Sequence, residues 1–203
     1  MPRIAGQIDR AKNEAILEAA SDVIFERGLS APLDEIARRA GVSKQTIYNH
    51  YGSKVDLMRA LIERRAQSVT DPLDVPGAEA FPERALAAYA EVLLHTAGLE
   101  RGISFMRLLI ESAPHDAALV RAVLPNGFRG SRAKLAAFLA RETRAGRMAV
   151  EDPAEAADFF TGMVLGGCQL EGLLGLPSEL GTPERIEHVA REAARRFMRA
   201  YAV

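Results

Sequence analysis

Residues 33–54 read LDEIARRAGVSKQTIYNHYGSK, and this stretch decides the fold. Two short segments, 33–40 and 44–50, carry apolar residues at helical spacing around the turn Gly41-Val42-Ser43. Two short helices joined by a three-residue turn containing glycine form a helix-turn-helix. Gly41 supplies the left-handed backbone that so sharp a turn needs. Ala37 is small enough for the helices to cross closely, and Ile36, Val42 and Ile47 are the apolar residues that would pin the pair to a preceding helix. Ser43 is placed to cap the second of them and leave its N-terminus free to face phosphate. The exposed face of that helix would then hold Lys44, Gln45, Thr46, Tyr48, Asn49 and His50, and residues 40–54 contain no acid. A solvated face ordinarily mixes Glu, Lys and Arg. This one offers what a helix in the major groove needs: Gln and Asn to pair with adenine, Thr and Tyr to touch thymine methyls. Lys44 and Lys54 would neutralise phosphate, which adds affinity without sequence information.

Working outward, residues 10–27 place Ile16, Ala20, Val23 and Ile24 on one helical face, and Gly28 ends that helix. Ser53, with Asp56 three residues on, starts a fourth helix running to about Ser68. Residues 71–82, DPLDVPGAEAFP, hold three prolines and a glycine and read as a loop and domain boundary. Further helices are expected at about 83–97, 101–113, 116–124, 128–145, 153–174 and 183–201. No strand alternation is evident. The fold class is all-α with about nine to ten helices: a DNA-binding domain at 1–54, a connecting helix at 54–68, and a C-terminal domain at 70–203.

The bulk figures agree. A chain of 203 residues, 48% hydrophobic, can bury a real core. The net charge of -1 excludes a protein that coats nucleic acid by charge alone. Residues 1–65 carry 11 Lys/Arg against 9 Asp/Glu, the remainder 15 against 18, a mild asymmetry of the right sign. The lone Cys168 cannot form an internal disulfide, which suits a reducing cytoplasm. No signal peptide is evident at 1–20. The apolar run FFTGMVLGGCQLEGLLGL, residues 159–176, contains Gln169 and Glu171. A carboxylate in hydrocarbon costs roughly 2.5–3.5 kcal/mol, so a buried interface helix is the better reading. His50, His95, His115 and His188 are scattered, and no HExxH, paired-cysteine, GxSxG or phosphate-loop motif occurs. No catalytic residue, metal site or cofactor is expected.

The run A-G-V-S-K-x-T-I-Y-x-H-Y-x-S-K at 40–54, with Gly28, Ile36-Ala37 and Lys54 around it, resembles the signature of TetR-family regulators. The resemblance implies that Ser43, Lys44, Gln45, Thr46, Tyr48, Asn49, His50, Tyr51 and Lys54 form the DNA-binding set, with Tyr51 partly a packing residue. It departs at Ala31-Pro32, where the family commonly has a hydroxyl cap and possible phosphate contact. It also implies a homodimer on a palindromic operator in double-stranded DNA and release by a small-molecule effector. The protein would be cytoplasmic, at the nucleoid when DNA-bound, and not in a membrane. The runs RLLIESAP at 107–114 and RETRAGRMAVEDP at 141–153 look like family pieces but name no effector.

In the C-terminal domain, Ile186, Val189, Ala190, Ala193 and Phe197 form one helical stripe. With Phe160, Met163, Val164 and Gly167 they are expected at the dimer interface. Tyr89, His95, Phe105, Met106, Met163 and Gln169 mix apolar bulk with polar groups, as effector sites do. With few aromatics, such a site suits a hydrophobic or amphipathic effector. A competing reading is a helical dimeric binding module, a co-regulator or receptor, whose helix-turn-helix no longer reads DNA.

Overall fold

The computed structural model describes residues 5–77 and 81–203, with side chains from residue 10 onward. The described residues are helical throughout, with no strand among them; one isolated antiparallel bridge joins Met148 to Ala202. Part of the expected 71–82 loop, residues 78–80, lies outside the described residues, as do residues 1–4 of the N-terminal domain. The chain divides into two compact units: residues 1–64 with 108–124, and residues 65–107 with 125–203. This division by compactness differs from the linear boundary drawn at 54–70, because 108–124 packs with the N-terminal unit.

The first unit contains α1 (Ala5–Arg27), α2 (Leu33–Arg39), α3 (Lys44–Tyr51), the first part of α4 (Lys54–Thr70), the end of α6 (Glu100–Ser112) and α7 (Ala117–Val123). Its core holds most of the set the periodicity marks, Ile16, Ala20, Val23, Ile24, Ile36, Ala37 and Ile47, joined by Leu57, Met58 and Leu61 of α4, while Val42 in the turn is only half-buried. Burying each Ile or Leu contributes roughly 1.5–3 kcal/mol. Gly41 takes φ +67°. Its N–H donates to the Arg38 carbonyl at 3.3 Å and the Val42 N–H to that of Ala37 at 3.0 Å, so α2 ends in a Schellman turn. Ser43 Oγ accepts from the Thr46 N–H at 3.1 Å and starts α3. Ser53 Oγ accepts from the Asp56 N–H at 3.1 Å. Pro32 precedes α2 with no side-chain cap.

The second unit contains the rest of α4, α5 (Pro82–Leu93), the first part of α6, α8 (Gly130–Arg144), α9 (Pro153–Leu165), α10 (Cys168–Leu173) and α11 (Pro183–Tyr201). Helix α11 packs on α5 and α8 on α9. A line of rings runs through the core: Tyr89 to Phe160 at 6.1 Å, Phe160 to Phe197 at 4.9 Å edge-on, Phe197 to Tyr201 at 4.6 Å. Glu142 is wholly buried and reaches Arg147 at 2.6 Å and Arg141 at 3.5 Å.

The single helix expected at 153–174 is two. Gly166 adopts φ +48° and its N–H closes α9 on the Gly162 carbonyl at 2.8 Å, after which the chain restarts as α10. Only glycine enters that conformation cheaply. Likewise, the stretch expected as one helix at 83–97 widens to π-turns over Leu94–Gly98, and α8 begins after another over Pro125–Arg129. No helix among the described residues is long and apolar enough to cross a membrane.

Candidate nucleic-acid interface

Of the eight residues of α3, only Ile47 is buried. It anchors the helix, and the rest of the surface is left to polar groups. Lys44, Gln45, Tyr48, Asn49 and His50 are exposed, as is Ser43 at the cap; Thr46 is half-buried. Tyr48 leaves 41% of an aromatic ring to solvent, which the packing of this unit does not require.

These polar groups are internally paired. Gln45 Nε2 donates to Asn49 Oδ1 at 2.8 Å, one helical turn on. Ser43 Oγ and Thr46 Oγ1 are 2.8 Å apart. Lys44 Nζ donates to Asp34 Oδ2 of α2 at 2.9 Å, and this carboxylate raises the pKa of the ammonium. The face therefore presents hydrogen-bonding groups held by short-range partners within the unit.

Tyr51 and Lys54 stand apart from that face. Tyr51 is half-buried, its hydroxyl donates to Asn13 Oδ1 of α1, and burial pushes its pKa up. Its hydroxyl is thus engaged within the unit, and its role is to fix α3 on α1. The Asn13 partner was not legible in the apolar pattern, because it lies on the polar side of α1. Lys54 is half-buried beside a cleft of about 350 Å³ floored by Leu29, Val55, Met58 and Leu119. Burial pushes its ammonium pKa down.

The bonds that position the reading helix are peripheral. Arg39 forms a two-pronged pair with Glu26 of α1 at 2.5 and 2.7 Å, and Arg27 reaches Glu35 of α2 at 2.9 Å. Both orient α2, on which α3 turns.

The second unit corrects two expectations. Phe160, Val164, Ile186, Ala190, Ala193 and Phe197 are buried in the subunit's own core. A side chain enclosed by its own subunit has no surface left for a partner. Val189 is half-buried, and only Met163 and Gly167 of the expected interface set are exposed. The apolar side chains that do face outward on this segment are Phe159, Met163, Leu170, Leu174 and Leu176, each 44–70% exposed. The expected effector residues do not share one environment either. Tyr89 is a core ring beside Phe160, and His95 and Met163 face solvent. Phe105 and Met106 are half-buried, with the Arg65 guanidinium 5.1 Å over the Phe105 ring. Gln169 keeps the effector reading alive: its Nε2 is buried with no hydrogen-bond partner among the described residues.

Comparison with known proteins matches the chain in two consecutive stretches, the second of which takes in residues 108–124. The family described as "Bacterial regulatory proteins, tetR family" matches residues 16–61, and that described as "AefR-like transcriptional repressor, C-terminal domain" matches residues 84–203. The HTH-type transcriptional activator FasR of Mycolicibacterium smegmatis is 46% identical over 55 residues, 27% of this chain and 25% of that protein. The chain thus matches only about a quarter of that relative. The HTH-type transcriptional repressor SCO4008 of Streptomyces coelicolor is 31% identical over 135 residues, 63% of this chain and 70% of that protein. Among solved structures, the flavonoid-responsive regulator FrrA superposes with a TM-score of 0.67 at 32% identity, covering 94% of this chain and 97% of that one.

Proposed function

The chain belongs to the TetR family of bacterial transcriptional regulators, a DNA-binding class, and from that premise we propose that it is a dimeric repressor of a palindromic operator, released by a small amphipathic effector. The observation that carries the reading is the exposed face of α3. Gln45, Tyr48, Asn49 and His50 leave the fold's own core needs to Ile47 and present hydrogen-bonding and stacking groups to solvent. In a dimer, two such helices about 34–36 Å apart meet successive major grooves of one duplex face.

The dimer would form on the outward apolar side chains of α9, α10 and the residue that ends it, Phe159, Met163, Leu170 and Leu174, in place of the buried stripe of α11. Several large apolar side chains left exposed on neighbouring elements favour an interface. The match of residues 84–203 to a repressor domain supports repression. An amphipathic effector is supported by the unpartnered Gln169 Nε2 amid apolar α10 and by the flavonoid response of FrrA. Effector binding would favour a different spacing of the two reading helices, with a coupling of roughly 1–3 kcal/mol. The site of action is the cytoplasm.

The test is selection of bound duplexes from a random library, with the wild type and with Tyr48→Ala. A palindrome recovered by the wild type and lost by the variant supports the reading. A folded dimer that enriches no sequence, with or without candidate effectors, overturns it in favour of a module that does not read DNA.

A further inference from the structure

We infer that Asp34 is a positioning residue that sets the affinity of this protein for DNA of any sequence, by holding Lys44 in competition with phosphate. The inference rests on the DNA-binding reading above. Lys44 is the first residue of α3 and its only Lys or Arg. It is therefore the one permanent cation that the reading helix brings to the duplex, and in the free protein it is bound at 2.9 Å to a carboxylate of the neighbouring helix.

The pair does little for the fold. Its side chains are 46% and 70% exposed, and exposed pairs add little to stability. Neither Lys44 nor Asp34 is buried, and α3 is already held by Ile47 and the Ser43 cap. The ion pairs of α2 with α1, Arg39 with Glu26 and Arg27 with Glu35, are a different case. They tie α2 to α1 and involve no residue of α3.

The consequence follows from how proteins bind DNA without sequence preference. That affinity comes from cations that replace counterions on phosphate. For Lys44 to reach phosphate it must leave Asp34, and the freed carboxylate then faces a polyanion. Every duplex, cognate or not, pays that exchange. Asp34 thus keeps background binding low, while Gln45, Tyr48 and Asn49, which it does not hold, supply the sequence-dependent part.

The experiment measures binding of a random-sequence duplex by fluorescence anisotropy over a series of salt concentrations. Asp34→Asn is expected to bind about fivefold more tightly at low salt, the factor one solvent-screened charge pair is worth. Its plot of log K against log salt should steepen by up to about 0.9, because Lys44 then meets phosphate without exposing a carboxylate to the duplex. Asp34→Glu, which keeps the charge, should return the wild-type slope, a result that a purely structural role would not produce. In a Lys44→Ala background, Asp34→Asn should no longer steepen the slope. A slope unchanged by Asp34→Asn, or weaker binding, overturns the inference. So does a gain that persists in full without Lys44, because Asp34 would then act by direct repulsion. Circular dichroism of each variant separates these outcomes from unfolding. A folded wild type that binds no duplex at low salt overturns the DNA-binding reading itself.

Discussion

Helices α3 and α11 are both amphipathic, but they spend their faces differently. Helix α3 buries one side chain of eight and leaves a polar face on which Gln45 pairs with Asn49 and Lys44 with Asp34 of α2. Helix α11 buries Ile186, Ala190, Ala193, Ala194 and Phe197 against its own subunit, and Phe197 closes on the rings of Phe160 and Tyr201. One helix is held by a minimum of packing and is free to recognise. The other is consumed by the fold. An apolar stripe is therefore weak evidence for an interface, whereas a polar face that the core does not need is good evidence for a ligand.

The contrast is broken most directly at Phe197. Phe197→Ala should cost about 3–5 kcal/mol of stability, read by urea unfolding, because it removes a fully buried ring packed between Phe160 and Tyr201. A cost near zero would mean that this stripe is not core. Tyr48→Ala is the opposite experiment. Stability should stay within about 0.5 kcal/mol of wild type, while operator affinity falls by about 1–3 kcal/mol. A destabilised variant would place Tyr48 in the packing.

Met163→Asp asks whether the outward side chains, and not the buried stripe, join two subunits. Sedimentation equilibrium should show dimer association weakened by about tenfold or more, since an unpaired carboxylate is costly to bury, with the circular-dichroism spectrum unchanged. An unaltered dimer would move the interface elsewhere. The smallest effect concerns the solvent edge of α11. Glu192 is held to a pKa of about 2, against an ordinary 4.5, by hydrogen bonding to Arg195. Its contribution is present above pH 4.5 and fades as pH falls toward 2. Glu192→Gln should lower Tm slightly near neutrality, and the difference should vanish near pH 2. A difference that grew with acid would reverse the sign.

The helix-turn-helix was legible because its signals are local. Gly41 at a positive φ, Ser43 at a cap and Ile47 one turn on each act within a few residues. The break at Gly166 was not legible, since a glycine in an apolar run reads equally as a close-packing site or as a turn. The expected effector residues proved to lie in different environments for a related reason. Aromatic and Met side chains at helical spacing say that a face is apolar without saying what covers it, and Tyr89 proved to be core while Met163 proved to be surface.

What the sequence by itself determined was the all-helical class, the helix-turn-helix, its caps and the polar groups that α3 presents, because helix periodicity and turn chemistry are properties of neighbouring residues. What only the tertiary structure decided was which partner each face meets. Phe197 could have faced a second subunit as readily as Phe160, and Lys44 could have been free instead of bound to Asp34 ten positions earlier. A 3.6-residue period specifies the side of a helix that is buried, and the identity of what buries it depends on contacts between segments far apart in the chain.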